Sequence, residues 1–404
     1  MKSLILILLS ALLVPAAPPA AVPSTGGVDA ERLARVRPSM DVLVQKGEIP
    51  GAVMLLARHG KIVLHEAVGY RDLENKRPMQ KDSIFQIMSM TKPFTGVGIM
   101  MLMEEGKLSI NDPVENYLPA FKGQQVGERP AGGGARVLRK PVRPITIRDL
   151  MSHISGMSGP HGAWADFYQR MDHGLAEAVE AYAKEPLEFE PGSKWQYSNT
   201  GIATLGRIIE VVSDQPYEAF IETRLLKPLG MKDTFFFAPS ARTERIAFVY
   251  SVQNGKLVLA GPKTLGGDST KYRPGSKYAA PEFGLYSTAA DLFRFYQMML
   301  NNGTLDGKRY LSKAAVDVMT MPHTGDLKAG HMPGTAFGLT WEVVRDPIGL
   351  TTLLSPGTFG HGGAFGTHGW IDRQKDVVGV YMVQRANDSA KNAFFQLAGS
   401  SVVD

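Results

Sequence analysis

Cysteine is absent from the 404-residue chain, which excludes disulfides, thiolate nucleophiles and lipid attachment at cysteine. A chain of this length buries enough core to stand without disulfides. The apolar run at the N-terminus, Leu4 to Val14, falls short of the roughly 20 residues that span a bilayer. No Walker or Rossmann glycine pattern is present, and no G-x-S-x-G nucleophile elbow. His361 and His368 come without H-E-x-x-H or comparable carboxylate spacing. Neither a metal nor an organic cofactor is therefore expected. Neither sign of charge dominates, with a formal net charge of +5 and 21% charged residues against 44% hydrophobic, as in ordinary soluble globular proteins. Part of the positive excess falls in residues 129–143, through Arg136, Arg139, Lys140 and Arg143. That stretch is rich in glycine and proline and lacks both a periodic apolar face and aromatic residues, so it reads as a solvated insertion rather than a nucleic-acid surface.

What is present begins with Met1-Lys2-Ser3, the short apolar run and then small residues. Residues 1–21 are expected to be a secretory signal peptide, with Val14-Pro15-Ala16 as one cleavage site. The mature protein is then expected in the periplasm or outside the cell, with no integral membrane segment.

The densest chemistry lies at Ser89-Met90-Thr91-Lys92, ahead of Pro93 and a long apolar run. Of all the serines, only Ser89 has lysine at the third position beyond it. The pattern predicts a helix over about Ser89 to Glu105, with Ser89 and Lys92 on one face of its first turn. Residues so spaced stand roughly 5–6 Å apart at Cβ, close enough for an amine to take the serine's proton. A helix N-terminus also gathers unpaired N–H groups that favour developing negative charge. A second candidate is Tyr197-Ser198-Asn199. A phenol, with a reference pKa near 10, needs neighbouring positive charge to act as a base, and Lys92 is a source of it. The third is His361-Gly362-Gly363-Ala364, where glycines let a strand's backbone pass close to a substrate. The Met-rich run Met88, Met90, Met100, Met101 and Met103 reads as core packing, and His153 and Ser155 as structural.

Ser89-x-x-Lys92, Tyr197-x-Asn199 and His361-x-Gly363, in that order, resemble the serine β-lactamase and penicillin-binding-protein superfamily. The tyrosine in the middle motif points to the class C β-lactamase branch, which also holds family VIII carboxylesterases, D-aminopeptidases and D-alanyl-D-alanine carboxypeptidases. Segments usual in that branch recur at residues 149–156 and 283–291. The resemblance implies Ser89 as the nucleophile of an acyl-enzyme, with Lys92 and Tyr197 as the proton-handling groups. Which of those two is the base stays open, since coupled groups share their titration. It further implies Asn199 as a contact to the lysine or to the substrate's amide. The oxyanion hole it implies is the pair of backbone N–H groups of Ser89 and Ala364, with His361 and Gly363 lining the substrate.

Length favours two lobes. Apolar spacing predicts a helix over Asp29 to Lys46, then strands Ala52 to Ala57 and Ile62 to Val68 joined by a turn at Arg58-His59-Gly60-Lys61. Thr146 to Asp149 reads as a capping box, and further helices are expected at Ile202 to Val212, Pro216 to Leu226 and Thr288 to Leu300. A strand at Val377 to Val383 and a helix from Ser389 to Leu397 end the chain. The expected fold is α/β (α+β), an antiparallel sheet built from both chain ends, flanked by helices, with a mainly helical lobe inserted. The hydrolase domain is expected over 29–404, with 29–95 and 300–404 forming the α/β lobe and 96–299 the helical lobe.

The third motif reads His-Gly-Gly instead of Lys-Thr-Gly, whose Lys and Thr side chains in β-lactamases and carboxypeptidases help hold the substrate carboxylate, and His361 stands where many relatives carry a lysine or tryptophan. Gly362 has no hydroxyl, and histidine is mostly neutral at pH 7, so anionic penicillin-like or D-Ala-D-Ala substrates lose a partner. Trp164, Phe167 and Tyr168 stand as an apolar acyl pocket or as packing of the helical lobe. The expected activity is a secreted serine hydrolase of small carboxylic esters with some β-lactam hydrolysis. The rivals are a β-lactamase, a D-amino-acid peptidase, and a non-catalytic cell-wall or β-lactam-binding protein.

Overall fold

Eight successive residues, Gly51–Arg58 (β1), are buried, the pattern of a strand covered on both faces. In the computed structural model, which describes residues 26–128, 136–273, 275–386 and 390–403, this strand lies inside an eight-stranded sheet. The expected signal segment, residues 129–135 of the basic insertion, and Ser389 lie outside the described residues. β1 turns into β2 (Lys61–Asp72) through His59 and Gly60, both at positive φ (50° and 71°), as a two-residue hairpin requires. The short β3 (Arg77–Pro78) closes that edge.

The remaining strands come from the far end of the chain: β4 (Thr335–Phe337), β5 (Glu342–Val344), β6 (Phe359–Gly362), β7 (His368–Asp372) and β8 (Val377–Val383). The order across the sheet is β4-β5-β6-β7-β8-β1-β2-β3. β8 pairs antiparallel with β1, Leu55 opposite Val380 and Met54 opposite Tyr381. The two chain ends therefore meet at the sheet's interior, as the strand–helix–strand order implied.

Five helices matter for the site: α1 (Val36–Gln45), α2 (Lys92–Glu104), α3 (Asn199–Ser213), α4 (Ala289–Leu300) and α5 (Lys391–Ser401). Alternation along β1 splits the core in two. Ala52, Met54 and Leu56 pack with Met40 of α1 and with Phe394 and Phe395 of α5. Val53, Leu55 and Ala57 point the other way, into a cluster shared with α2, α3 and α4. Each large apolar side chain so buried stabilises the fold by about 1.5–3 kcal/mol. α4 lies so close to the sheet that a Cβ on Gly369 of β7 would stand 2.0 Å from the Tyr296 ring. Among the described residues no helix is long and apolar enough to cross a membrane.

Several elements differ in detail from their sequence expectation. The first helix is broken into Ala30–Leu33 and Val36–Gln45. The helix expected from Ser89 opens instead as a 3₁₀ turn, Met88–Thr91, and becomes α-helical only at Lys92. Pro93 has no N–H to offer the Ser89 carbonyl four residues back, so that carbonyl takes the Lys92 N–H instead, the tighter 3₁₀ pattern. The helix after Pro216 is α only over Tyr217–Ile221 and widens to a π turn over Glu222–Leu226.

Candidate active site

Met88, at φ 50° and wholly buried, swings the chain into the 3₁₀ turn that carries Ser89. Lys92 follows as the first residue of α2, a helix buried from Lys92 through Leu102. Its amine is therefore held inside the protein, with no exposed surface. Lys92 Nζ lies 3.0 Å from Ser89 Oγ and donates to the Glu282 carbonyl at 2.7 Å. Burial pushes the amine down to about 7, and the Glu282 carboxyl opposes the shift.

Tyr197 comes from the loop before α3, and its ring lies under the Lys92 amine, 4.7 Å from Nζ to centroid. Burial pushes its phenol above the ordinary value, against a hydrogen bond with Ser89. The loop is fixed from below by His153, whose Nδ1 accepts the Ser198 N–H at 3.1 Å and whose ring packs on Tyr197 at 4.5 Å. His153 itself sits at φ 60° just after the short helix Ile147–Met151. The capping box read at Thr146 and Asp149 opens that helix. Ser198 caps α3 through its side chain, which makes Asn199 the helix's first residue. Among the described residues the Asn199 Oδ1 is buried without a partner, and the hydrogen bonds of Lys92 go to Ser89 and Glu282 rather than to Asn199.

The third segment arrives on β6. His361 is 2% exposed, and its Nδ1 lies 2.7 Å from the Gly362 carbonyl. That contact places the proton on Nδ1 and leaves Nε2 as an acceptor, buried without a partner among the described residues. Burial, then the Lys92 charge, hold this imidazole well below its ordinary pKa, so it is neutral at pH 7. The turn after β6 is tied to the serine turn. Thr367 Oγ1 donates to the Ile87 carbonyl at 3.3 Å, and a Cβ on Gly363 would come within 2.5 Å of that oxygen. Only glycine permits the approach. Among the described residues the N–H groups of Ser89 and Ala364 have no backbone acceptor.

Ser89, Lys92 and Tyr197 thus converge, with the His361-to-Ala364 turn against the Ser89 turn. Of the apolar trio, Phe167 is fully buried with its edge on Tyr278, which makes it core, while Trp164 packs beside it at 5.0 Å. Sequence reasoning missed Glu282, His331, Phe337 and Glu342. His331 meets the Tyr197 ring at 4.6 Å, and Glu342 holds the His331 loop by accepting its N–H at 2.6 Å. The one available signal was an acid inside the apolar stretch 278–286, directly before the segment quoted at 283–291.

Comparison with known proteins follows the same lines. The family model described as Beta-lactamase matches residues 35–398. Protein Rv1367c of Mycobacterium tuberculosis is 33% identical over 372 residues, covering 88% of this chain and 90% of that protein. Esterase EstB of Burkholderia gladioli is 30% identical over 378 residues, covering 87% and 90%. Among solved structures, EstCE1, described as a hydrolase with promiscuous acyltransferase activity, superposes with a TM-score of 0.76 at 24% identity over 93% of this chain and 99% of its own.

Proposed function

This chain belongs to the Beta-lactamase family, and from that premise we propose that it is an exported serine hydrolase working through an acyl-enzyme on Ser89. Its substrates are small carboxylic esters, with some β-lactam turnover. Export rests on the Met1 to Val14 pattern alone.

One observation carries the reading: a wholly buried lysine amine, pushed down to about 7, in hydrogen-bond contact with a serine hydroxyl. A neutral amine at that distance accepts the Oγ proton as Oγ bonds to the carbonyl carbon. The electron pair driven onto the carbonyl oxygen faces the N–H groups of Ser89 and Ala364. Collapse of the tetrahedral species expels the alkoxide, which takes a proton from the Lys92 ammonium, directly or through the Tyr197 phenol. Water then repeats the sequence on the acyl-enzyme. The neutral, buried His361 supports ester over carboxylate-bearing substrates, since nothing in the third motif offers an anion a charge. The similarity to Esterase EstB points the same way.

The test is steady-state hydrolysis of a short-chain p-nitrophenyl ester, a chromogenic cephalosporin and a D-alanyl anilide, each repeated with Ser89→Ala. Ester turnover that dominates and disappears with Ser89→Ala is the expected result. Dominant cephalosporin or anilide turnover would move the protein to the β-lactamase or peptidase reading. Stable acylation without product release would identify a binding protein.

A further inference from the structure

Among the described residues Glu282 is the one buried acid that touches the Ser89–Lys92 pair without a place in the chemistry above. Its segment is laid along the first turn of α2 by three contacts. Thr91 Oγ1 accepts the Leu285 N–H at 3.1 Å, Lys92 Nζ donates to the Glu282 carbonyl at 2.7 Å, and Thr95 Oγ1 donates to the Pro281 carbonyl at 2.7 Å. Gly284 is required for the turn, because a Cβ there would sit 1.7 Å from the Ala279 carbonyl oxygen. The carbonyl of any residue at this position would serve Lys92 equally well. The carboxyl is the unexplained part.

That carboxyl has no exposed surface. Its Oε1 accepts from the Tyr278 hydroxyl at 2.8 Å, while among the described residues Oε2 has no partner at full hydrogen-bond geometry, the Tyr168 hydroxyl being the neighbour that favours its charge. A glutamate kept for architecture has its oxygens satisfied, and burying one half-satisfied is costly. The titratable groups that face it are Lys92 from α2, Tyr168 from the helix Phe167–Arg170, Tyr182 from the helix Leu175–Ala183, Tyr278 from its own loop, and Tyr197 and Tyr217 farther off. Lys92 is the only one of these that carries positive charge. Resting on the Ser89–Lys92 reading, we propose that Glu282 is a positioning residue whose buried carboxyl, oriented by Tyr278, sets the charge state of the Lys92 amine.

The pair resists full ionisation from both sides. Burial pushes the carboxyl up to about 7, while the Tyr278 hydrogen bond and the Lys92 charge pull it down. The same carboxylate raises the amine against its own burial. A negative charge at Glu282 therefore keeps Lys92 protonated to higher pH, and its removal frees the amine at lower pH.

The experiment follows the rate of Ser89 labelling by a fluorophosphonate against pH, in the full chain and in Glu282→Gln, Tyr278→Phe and Ser89→Ala. Glu282→Gln is expected to move the acidic limb down by about one pH unit, so that one unit below the wild-type midpoint it labels roughly five-fold faster. Tyr278→Phe, which destabilises the carboxylate, moves the limb in the same direction by less. It also provides the test if Glu282→Gln does not fold. Limbs that coincide with wild type, accompanied only by lower melting temperatures, would overturn the inference and leave the proposed function standing. A wild-type protein that shows no Ser89-dependent labelling would overturn both.

Discussion

The Lys92 amine sits over the face of the Tyr197 ring, 4.7 Å from its centroid, while it holds the Ser89 hydroxyl at 3.0 Å. A ring face favours the protonated amine, yet burial outweighs it and brings Lys92 down to about 7. The same burial pushes the Tyr197 phenol up. Near neutrality the amine is the group that loses its proton, and the phenol keeps its own. The sequence left these two roles open, and the opposed shifts favour the amine as the base in the proposed mechanism. kcat/KM for an ester is expected to rise through a limb near the Lys92 value and to show no alkaline fall from Tyr197 below its ordinary range. Tyr197→Phe should keep the limb and lose on the order of 10²-fold in rate. A limb that vanishes with Tyr197→Phe would return the base role to the phenol.

Lys92 also makes a stability prediction, and its sign is fixed by linkage. Its folded pKa lies below the unfolded value near 10. Between the two the unfolded chain binds the extra proton, so stability rises with pH across that window. Below it, the folded state carries the full cost of a buried ammonium. Lys92→Met is therefore expected to be more stable than wild type at pH 6, on the order of a few kcal/mol. The difference should shrink steadily toward pH 10. Melting curves of both proteins at matched pH check this, and a difference that grows with pH would refute it.

Much of this arrangement was legible in the chain. β1, β8 and the capping box at Thr146 follow from short apolar runs and from local side-chain chemistry, and they appear where the patterns put them. The three segments carrying Ser89, Tyr197 and His361 were legible as motifs with a family's order. Glu282 and His331 were not. Glu282 meets Lys92 across 190 positions of chain, and the apolar stretch around it marks an acid out of place without saying what it meets. The 3₁₀ opening at Ser89 was hidden for a different reason. Helical spacing says which face is apolar, whereas the hand-over of one carbonyl at Pro93 decides where the α-turns begin.

A packing prediction comes from the approach of α2 to the turn at Thr340. A Cβ at Gly96 would stand 2.1 Å from Thr340 Oγ1, and Thr340 is wholly buried at φ 66°. A branched side chain locked in the left-handed region has little room to turn away. Gly96→Ala should cost about 1–3 kcal/mol, read as a lower urea midpoint at unchanged slope. Adding Thr340→Gly should restore most of the loss, since it removes the obstacle and suits the positive φ. A Gly96→Ala midpoint equal to wild type would mean that the helix shifts freely at this contact.

The third motif offers the sharpest test of substrate choice. If carboxylate-bearing substrates are disfavoured because His361 is neutral and Gly362 lacks a hydroxyl, then His361→Lys with Gly362→Thr should improve them. The fold sets a cost, because a Cβ at Gly362 would stand 3.0 Å from His368 Nδ1, and the buried His368 ring must give by a few tenths of an ångström. A loss of about 1 kcal/mol is expected for that strain. The introduced lysine also adds positive charge at a position that already feels the Lys92 charge. The acidic limb of the double variant should therefore lie below that of wild type. kcat/KM for a cephalosporin relative to an uncharged ester of similar size is the measurement, taken above both limbs. A ratio that rises several-fold supports a missing anion partner at this turn. A ratio that stays fixed while the limb moves would show that the charge arrives and the substrate's carboxylate does not meet it, which would place the selectivity outside the third motif.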